Sequence, residues 1–247
     1  MLSRFDHLFV QNQESADLLT EIGLAEKTTV AGDSRFDRVV EIAKEKKDLP
    51  LIEQFLSNQK TIVAGSTWPE DERLLQKLIN FFSDQSFNLI LAPHETNEKH
   101  IEDIQQLFPQ AKLYSTLQPG NEKKTNVLVI DSIGILSKLY QYAFICYVGG
   151  GLKPLGVHNV LEAAVYHKPV LFGPHYEKYR EALGLVQSGG GLVFTNEQML
   201  TELIKGLIRN EEDYVERSKA AGQFVLNHTG ATEKIIGYIQ ENRLLTS

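Results

Sequence analysis

Short apolar runs alternate along the chain with segments in which apolar residues recur every three or four positions. The runs predict β-strands at residues 7–10, 61–64, 88–92, 127–130, 144–148, 169–172 and 191–194. The longer spacing predicts helices at residues 14–22, 70–82, 98–108, 134–142, 160–166, 178–186 and 197–208. Because strands such as 127–130 are apolar on both faces, the sequence predicts an α/β fold, a doubly wound, Rossmann-like parallel sheet covered by helices.

Residues 41–50 interrupt this alternation near the start of the chain. They are charged, carry no strand pattern and end at Pro50, which predicts a linker or, equally, a solvated helix. If they form a linker, the part before them is too short for an independent domain. We therefore assign residues 1–42 to the last strand and helix of an amino-terminal domain, and residues 43–247, including the terminal helices, to a carboxy-terminal domain.

Composition narrows the partners and the compartment. The chain has 25 Lys and Arg against 32 Asp and Glu, a net charge of −7, which argues against nucleic acid as a partner. The single cysteine, Cys146, lies in an apolar run, so neither a disulfide nor a cysteine-based zinc site is expected. No apolar stretch approaches the ~20 residues that span a bilayer, and the first residues lack a signal-peptide pattern, so we expect a cytoplasmic protein.

Ligands of parallel sheets bind at the carboxyl ends of the strands, so the loops that follow strands form the candidate site. The richest loop follows residues 144–148 and contains Gly149, Gly150, Gly151, His158 and Asn159. Glycine lets backbone N–H groups approach an anion, and Asn159 can cap the next helix, whose amino end favours negative charge. Glu162, one turn further on, either accepts hydrogen bonds from a ribose diol or completes a capping box.

Two earlier loops also carry polar groups. Ser66 and Thr67 follow the strand at 61–64 and either bind a phosphate or carboxylate or cap the helix that begins near Pro69. His94 follows Pro93 at the end of the next strand, where it either contacts a phosphate or is an ordinary surface histidine.

The remaining loops add a helix cap and a third histidine. Asp131 or Ser132 is expected to cap the helix at 134–142, and His175 follows the strand at 169–172. Three histidines at one sheet edge suggest a metal, but no short ligand spacing supports one, so we expect none. The chain also lacks a Gly-x-Ser-x-Gly elbow, a P-loop and a dinucleotide fingerprint, which disfavours acyl-enzyme chemistry and the common nucleotide cofactors.

In combination and in order, these motifs resemble the 3-deoxy-D-manno-octulosonic acid (Kdo) transferases of lipopolysaccharide synthesis. The resemblance is carried first by VGGG at 148–151, HNVLEAA at 158–164 and PVLFGPH at 169–175. Earlier pieces follow the family's order: FVQN at 9–12, GDSRFDRV at 32–39, GST at 65–67, PH at 93–94 and DSIG at 131–134. The resemblance covers essentially the whole chain.

The resemblance implies one half of a GT-B glycosyltransferase, in which two Rossmann-like domains face each other and the carboxy-terminal one binds the CMP moiety of CMP-Kdo. It assigns CMP-Kdo binding to Pro93, His94, Ile133, Gly134, Ile135, Asn159, Val160, Leu161 and Glu162. Supporting loops carry Ser66, Thr67, Gly149, Gly150, Gly151, His158 and His175. The loop amides and the helix near Asn159 are expected to hold the CMP phosphate without an obligatory metal or other cofactor.

Kdo transferases extend further at the amino end, where the resemblance places a membrane-associating segment, the site for lipid A precursor and a catalytic glutamate. We therefore expect the present chain to bind CMP-Kdo or CMP but to contain no catalytic base and to be inactive alone. The full-length protein is expected at the cytoplasmic face of the inner membrane, touching the membrane surface and lipid A precursor through that other part.

Three departures from the family pattern affect the site. Many relatives carry arginine after the proline where this chain has His94, which removes a permanently charged phosphate contact. Gly151 and Val157 stand where relatives often have serine and glycine, changes that leave backbone binding intact.

Two other functions fit the same fold. One is a UDP-sugar transferase or UDP-sugar 2-epimerase, since these share the GT-B architecture and an Asn- or His-to-Glu loop. The other is a non-catalytic module that binds a nucleotide sugar. A preference for UDP over CMP would favour the first. Sugar transfer after addition of a separate amino-terminal half would distinguish a transferase from a binding module.

Overall fold

The structure is a computed structural model that describes residues 2–45, 48–57, 59–82, 87–119 and 125–244. The chain divides into two compact units. The smaller contains Met1–Glu41 and Val225–Ser247, and the larger contains Ile42–Phe224.

The larger unit is built on a parallel sheet of seven strands in the order β5-β6-β4-β3-β7-β8-β9. The strands are β3 (Thr61–Thr67), β4 (Asn88–Pro93), β5 (Lys112–Leu113), β6 (Val127–Val129), β7 (Ile145–Val148), β8 (Val170–Phe172) and β9 (Gly191–Val193). Every residue of β4, β6, β7 and β8 is buried. Burial on both faces explains why these strands are continuous apolar runs.

Helices connect and flank the strands of this sheet. Their bounds are α3 (Pro50–Leu56), α4 (Pro69–Phe81), α5 (Glu98–Leu107), α6 (Leu136–Leu139), α7 (Leu161–Ala164), α8 (Arg180–Gln187), α9 (Glu197–Arg209) and α10 (Glu211–Asn227). Pro69 opens α4, while Asn97 and Asn196 cap α5 and α9 by accepting backbone N–H bonds. No helix of the described ranges is long and apolar enough to cross a membrane.

The smaller unit pairs β1 (Leu8–Val10) with β2 (Thr28–Val30) in a two-stranded parallel sheet. Its helices are α1 (Gln13–Glu21), most of α2 (Ser34–Lys44) and α11 (Ala231–Glu241). The Asp37 carboxylate accepts bonds from the backbone N–H groups of Gly230 and Thr232, at 2.6 and 2.8 Å. This carboxylate therefore joins α2 to the start of α11.

All seven predicted strands are present, with bounds that differ by one to three residues; six lie in the large sheet, and the first, predicted at 7–10, is β1 of the two-stranded sheet. The pattern missed β2 and β5, and the helices predicted at 134–142 and 160–166 shrink to the single turns α6 and α7, the first continued by a 3₁₀ turn at Tyr140–Tyr142. Helix α2 continues to Lys44, so the start of the charged segment 41–50 is helical rather than extended linker, and Lys46 and Lys47 lie outside the described residues.

The proposed division at residue 42 remains a prediction about domain origin. The division between the compact units falls between Glu41 and Ile42, and α11 is grouped with the first 41 residues and not with the large sheet. The Asp37 bonds to Gly230 and Thr232 give this grouping a physical basis.

Substitutions at two glycines, Gly190 and Gly206, test the packing of the larger unit. A methyl group on Gly190 would lie 2.5 Å from Cα of Ala221 and 2.6 Å from its nitrogen, so Gly190→Ala should lower the free energy of unfolding by about 1–3 kcal/mol. Gly206, inside α9, has open space around it, so Gly206→Ala should stabilise by up to about 1 kcal/mol. Chemical denaturation followed by circular dichroism measures both, and equal effects would contradict this packing.

Candidate functional site

A buried carboxylate, Asp71, joins three segments at the carboxyl edge of the central strands. Asp71 is in the first turn of α4 and is 1% exposed. It accepts bonds from Tyr147 Oη in β7 at 2.7 Å, from Trp68 N at 2.9 Å and from Gly150 N at 3.1 Å. Burial raises the pKa of this carboxyl group, and the three donors partly oppose the rise. The loops after β3 and β7 are thereby fixed to each other.

The glycine triplet lies where these loops come into backbone contact. A Cβ on Gly149 would lie 2.3 Å from the Ser66 carbonyl oxygen, and one on Gly151 would lie 2.8 Å from the nitrogen of Gly173. Gly150 has a φ of +89°, a conformation that favours glycine. The N–H groups of Gly149 and Gly150 donate to Gly65 O and Asp71, so in this structure they hold loops together instead of facing an open anion site.

Three aromatic rings from three loops stack at the same edge. The rings of His94 and His158 have centroids 4.4 Å apart, and Trp68 stacks on His94 at 4.7 Å. Trp68 Nε1 donates to His158 Nε2 at 2.9 Å, so that nitrogen of His158 carries no proton. Burial, followed by the neighbouring His94, lowers the pKa of His158. His158 is therefore neutral at neutral pH.

Asn159 and Glu162 are brought together at the start of α7. Asn159 Nδ2 donates to Glu162 Oε1 at 3.0 Å, and Asn159 Oδ1 accepts from Leu161 N at 3.1 Å. A capping box would instead place the glutamate on a backbone N–H. Among the described residues, Asn159 is the one hydrogen-bond donor to the half-buried Glu162, and burial raises the pKa of this carboxyl group. The second carboxylate oxygen has no donor among the described residues. Val160 and Leu161 are buried beside the pair.

The two polar residues after β3 have different surroundings. Thr67 is fully buried, and its hydroxyl donates to the buried Glu72 at 3.1 Å, so it is neither a phosphate contact nor a helix cap here. Ser66 is half-buried with a φ of +53°. Glu72 also bonds His100 Nε2 at 2.9 Å, at the base of an open cleft of about 420 Å³ between α4 and α5.

Pro93 and His94 lie at the end of β4. Pro93 is buried and pairs with Thr67 of β3 next to a register shift, while His94 N donates to the Thr67 carbonyl at 2.9 Å. These backbone contacts fix the position of His94, whose exposed ring stacks on Trp68.

The loop after β6 follows the same sheet edge, beyond β4. Ile133 is 88% exposed, Gly134 has a φ of +96°, and Ile135 precedes α6. The expectation that Asp131 or Ser132 caps this helix is wrong. The Asp131 carboxylate instead accepts from the backbone N–H and hydroxyl of Ser115, and the buried Ser132 hydroxyl has no hydrogen-bond partner among the described residues.

His175 contributes through its backbone. Its N–H donates to Gly151 O at 2.9 Å and its carbonyl accepts from Val157 N at 3.0 Å, which joins the loops after β7 and β8. Its exposed ring borders a separate cleft of about 160 Å³ with Tyr176 and Tyr179. Within the described ranges, no three His, Cys, Asp or Glu side chains come together as metal ligands.

Sequence reasoning missed Trp68, Asp71, Glu72 and His100 as contributors to this edge. Two signals were present. Asp71 is the third residue of a helix opened by Pro69, a position from which a carboxylate often accepts the N-cap N–H. Trp68 is the only tryptophan of the chain and lies in a loop at a carboxyl end.

A seven-stranded parallel sheet flanked by helices, with its polar cluster at the carboxyl edge, defines a Rossmann-like domain of the GT-B kind. Two solved structures share this fold. One is the C-terminal CMP-Kdo binding domain of WaaA from Acinetobacter baumannii, with a TM-score of 0.64, 22% identity and coverage of 76% of this chain and 98% of that one. The other is the UDP-GlcNAc 2-epimerase from Neisseria meningitidis bound to UDP-GlcNAc, with a TM-score of 0.63, 19% identity and coverage of 96% and 61%.

The resemblance to Kdo transferases is confirmed by sequence comparison. The 3-deoxy-D-manno-octulosonic acid transferase of Chlamydia trachomatis is 27% identical over 87% of this chain and 51% of its own length. A bifunctional glycosyltransferase/methyltransferase of Fusobacterium nucleatum is 27% identical over 99% of this chain and 36% of its own. No protein-family model matches. The chain thus spans about half the length, or less, of these glycosyltransferase relatives.

Replacement of the central carboxylate should loosen this edge. In Asp71→Asn, the N–H₂ group that replaces one side-chain oxygen cannot accept a hydrogen bond, so the variant loses either the bond from Tyr147 or the two bonds from Trp68 and Gly150. The free energy of unfolding should fall by about 1–3 kcal/mol. Asp103→Asn, on the exposed side of α5, is the matched control and should change it by less than about 0.5 kcal/mol. Unchanged denaturation of Asp71→Asn would refute this role.

The His158 bond should make stability depend on pH. Because its folded-state pKa lies below the ordinary 6.5, the unfolded chain takes up the proton first as pH falls. The contribution is present above about pH 6.5 and is lost as pH falls toward the lowered pKa. His158→Gln keeps an acceptor for Trp68 but does not titrate, so its unfolding midpoint should fall less than that of the wild type between about pH 7.5 and about pH 5.5. Parallel pH curves would contradict this.

Proposed function

We propose that this chain binds CMP-Kdo as the donor-binding portion of a glycosyltransferase that transfers Kdo. The observation that carries the proposal is the Asn159–Glu162 pair, a half-buried carboxylate held at the carboxyl edge of a parallel sheet. Carboxyl ends of parallel strands are where such folds bind nucleotides. The similarity in sequence to Kdo transferases, over most of the chain, supports this choice of ligand.

Glu162 is suited to bind the ribose of the nucleotide. One oxygen is fixed by Asn159, and the other can accept from a diol. A hydrogen bond to a charged acceptor contributes about 1.5–3 kcal/mol, so this contact alone can set a large part of the affinity. The direction of the carboxylate is determined by Asn159, which makes the amide a positioning residue for the glutamate.

The phosphate and the sugar are assigned to the adjoining loops. Because the N–H groups of Gly149 and Gly150 already donate within the protein, we assign the anion to the start of α7 and to side chains of the loops after β4 and β7. Ile133, Gly134 and Ile135 line the edge on the other side of β4, where we place the nucleoside. No metal is required by this arrangement.

Transfer of Kdo to an acceptor needs a catalytic base in addition to the donor-binding residues named above. Deprotonation of an acceptor hydroxyl requires a base within hydrogen-bond reach of it, and the resemblance assigns that base, a glutamate, to an amino-terminal domain. We propose that lipid A precursor and the membrane surface are bound through that domain, and that residues 1–247 alone bind the donor without turnover.

A UDP-sugar enzyme is the second candidate. The fold of the UDP-GlcNAc 2-epimerase from Neisseria meningitidis covers 96% of this chain, including the smaller unit. The sequence similarity to Kdo transferases favours CMP as the bound nucleotide, while the structural similarity to the epimerase over nearly the whole chain favours UDP. The choice of nucleotide therefore separates the two candidates.

Calorimetric titration with CMP and with UDP tests the proposal. The wild type should bind CMP in preference to UDP, and Glu162→Ala should weaken CMP binding by about tenfold or more because the diol acceptor is lost. Asn159→Ala should weaken it less, since it frees the carboxylate without removing it. Asn196→Ala, which removes the helix cap of α9 after the edge strand β9, is the matched control.

Each other outcome has a defined meaning. Preference for UDP would replace the Kdo donor by a UDP-sugar. Absence of binding to either nucleotide, or unchanged CMP affinity in Glu162→Ala, would contradict the proposal. Transfer of Kdo by residues 1–247 alone would contradict only the need for another domain.

A further inference from the structure

Lys153 lies at the centre of the glycine-rich loop and contacts the aromatic stack. Its Nζ is 2.9 Å from Glu70 Oε2 and 5.2 Å from the centre of the Trp68 ring. Trp68 in turn contacts His94 and His158, the two histidines of the candidate site. Lys153 is therefore joined to the site by a cation–π contact.

The backbone around Lys153 is fixed, but its side chain is not enclosed. Lys153 N donates to Gly150 O at 3.0 Å, and Gly156 N donates to Lys153 O at 2.9 Å. The side chains of Lys153 and Glu70 are 39% and 40% exposed, although the Glu70 Oε2 atom that faces Lys153 is itself buried. An ion pair of this exposure contributes only about 0–1 kcal/mol, so an incoming anion can displace Glu70.

The charge of the neighbouring loops makes this lysine distinctive. Lys153 is the single Lys or Arg in four of the loops at this edge, all of which are described. These loops follow β3 (residue 68), β4 (94–97), β6 (130–135) and β7 (149–160). The same edge carries Asp71, Glu72 and Glu162, and the chain as a whole has a net charge of −7. A phosphate that binds here needs a local cation.

His158 does not supply this positive charge. His158 accepts a hydrogen bond at Nε2, and its lowered pKa leaves it neutral at neutral pH. A lysine keeps its charge throughout this range.

We infer that Lys153 is the cation that binds the phosphate of the nucleotide, and that Glu70 holds Lys153 on the Trp68 ring until that phosphate displaces it. The inference rests on the proposed function, because it assumes a nucleotide at this edge. It assigns Lys153 direct contact with the ligand and makes Glu70 an internal competitor for it.

A double-mutant cycle on CMP binding tests the pair. Lys153→Ala should weaken CMP binding by about tenfold, and Lys153→Arg should retain most of it because the charge remains. Glu70→Gln should strengthen CMP binding by about threefold, since the competing charge is removed. The double variant should bind as weakly as Lys153→Ala. Glu70 also pairs with Arg73, at 3.3 Å, so Glu70→Gln releases both cations. The double variant shows which of the two cations causes the stronger binding, because it lacks Lys153 but keeps Arg73.

The chain provides a matched control pair. Lys205 lies 2.7 Å from Glu202 and 4.6 Å from the centre of the Phe81 ring, the same two contacts, on α9. Lys205→Ala and Glu202→Gln should leave CMP affinity unchanged. Cytidine, which lacks the phosphate, should bind the wild type and Lys153→Ala equally, and raised salt should weaken CMP binding more in the wild type than in Lys153→Ala.

The outcomes separate this inference from the proposed function. If the wild type binds no CMP, both fail. If it binds CMP, and Glu162→Ala weakens that binding while Lys153→Ala does not, only the role of Lys153 fails. Equal loss of cytidine and CMP in Lys153→Ala would also overturn it, because the loss would then be structural.

Discussion

The carboxylate of Asp71 is the interaction on which the geometry of the carboxyl edge depends. A buried charge is costly unless it is well hydrogen-bonded, and Asp71 has donors from Trp68, Tyr147 and Gly150. Two of these donors are backbone N–H groups and the third is on a strand. The loops after β3 and β7 therefore cannot shift independently without leaving a buried charge unpaired. The close backbone contacts of Gly149 and Gly151 depend on the same arrangement.

The proposed binding of an anion at this acidic edge requires its carboxylates to have separate roles. Asp71 and Glu72 are buried and accept their hydrogen bonds from the protein, so they shape the loops. In the proposed function, Glu162 binds hydroxyl groups through its second oxygen. Lys153 is the cation of the glycine-rich loop and is partly neutralised by Glu70. The proposal thus separates recognition of a sugar diol from recognition of a phosphate.

The sheet could be predicted because its strands are apolar on both faces, as in Val127–Val129. Strand β5 could not, since Lys112–Leu113 is two residues long and takes its place by pairing with β6. Helix α2 was obscured by charges on its exposed face. The edge that carries the site also followed from strand order, so the loops were identified correctly as neighbours.

Side-chain partners within the site could not be predicted in the same way. Trp68 and His158 are 90 positions apart, and Asp71 and Gly150 are 79 apart, so no local spacing connects them. The glycine triplet suggested open N–H groups, but two of them are used within the protein. The local sequence pattern therefore predicted where the loops lie, whereas the contacts between their side chains could be identified only from the three-dimensional structure.

The position of Trp68 has a spectroscopic consequence. It is the only tryptophan in the chain, its indole N–H is bound to His158, and its ring contacts His94 and Lys153. Indole emission from this protein therefore comes from one place, the centre of the candidate site. Rearrangement of any of the three loops changes the surroundings of the emitting group, so the native chain carries a built-in optical reporter that needs no attached dye.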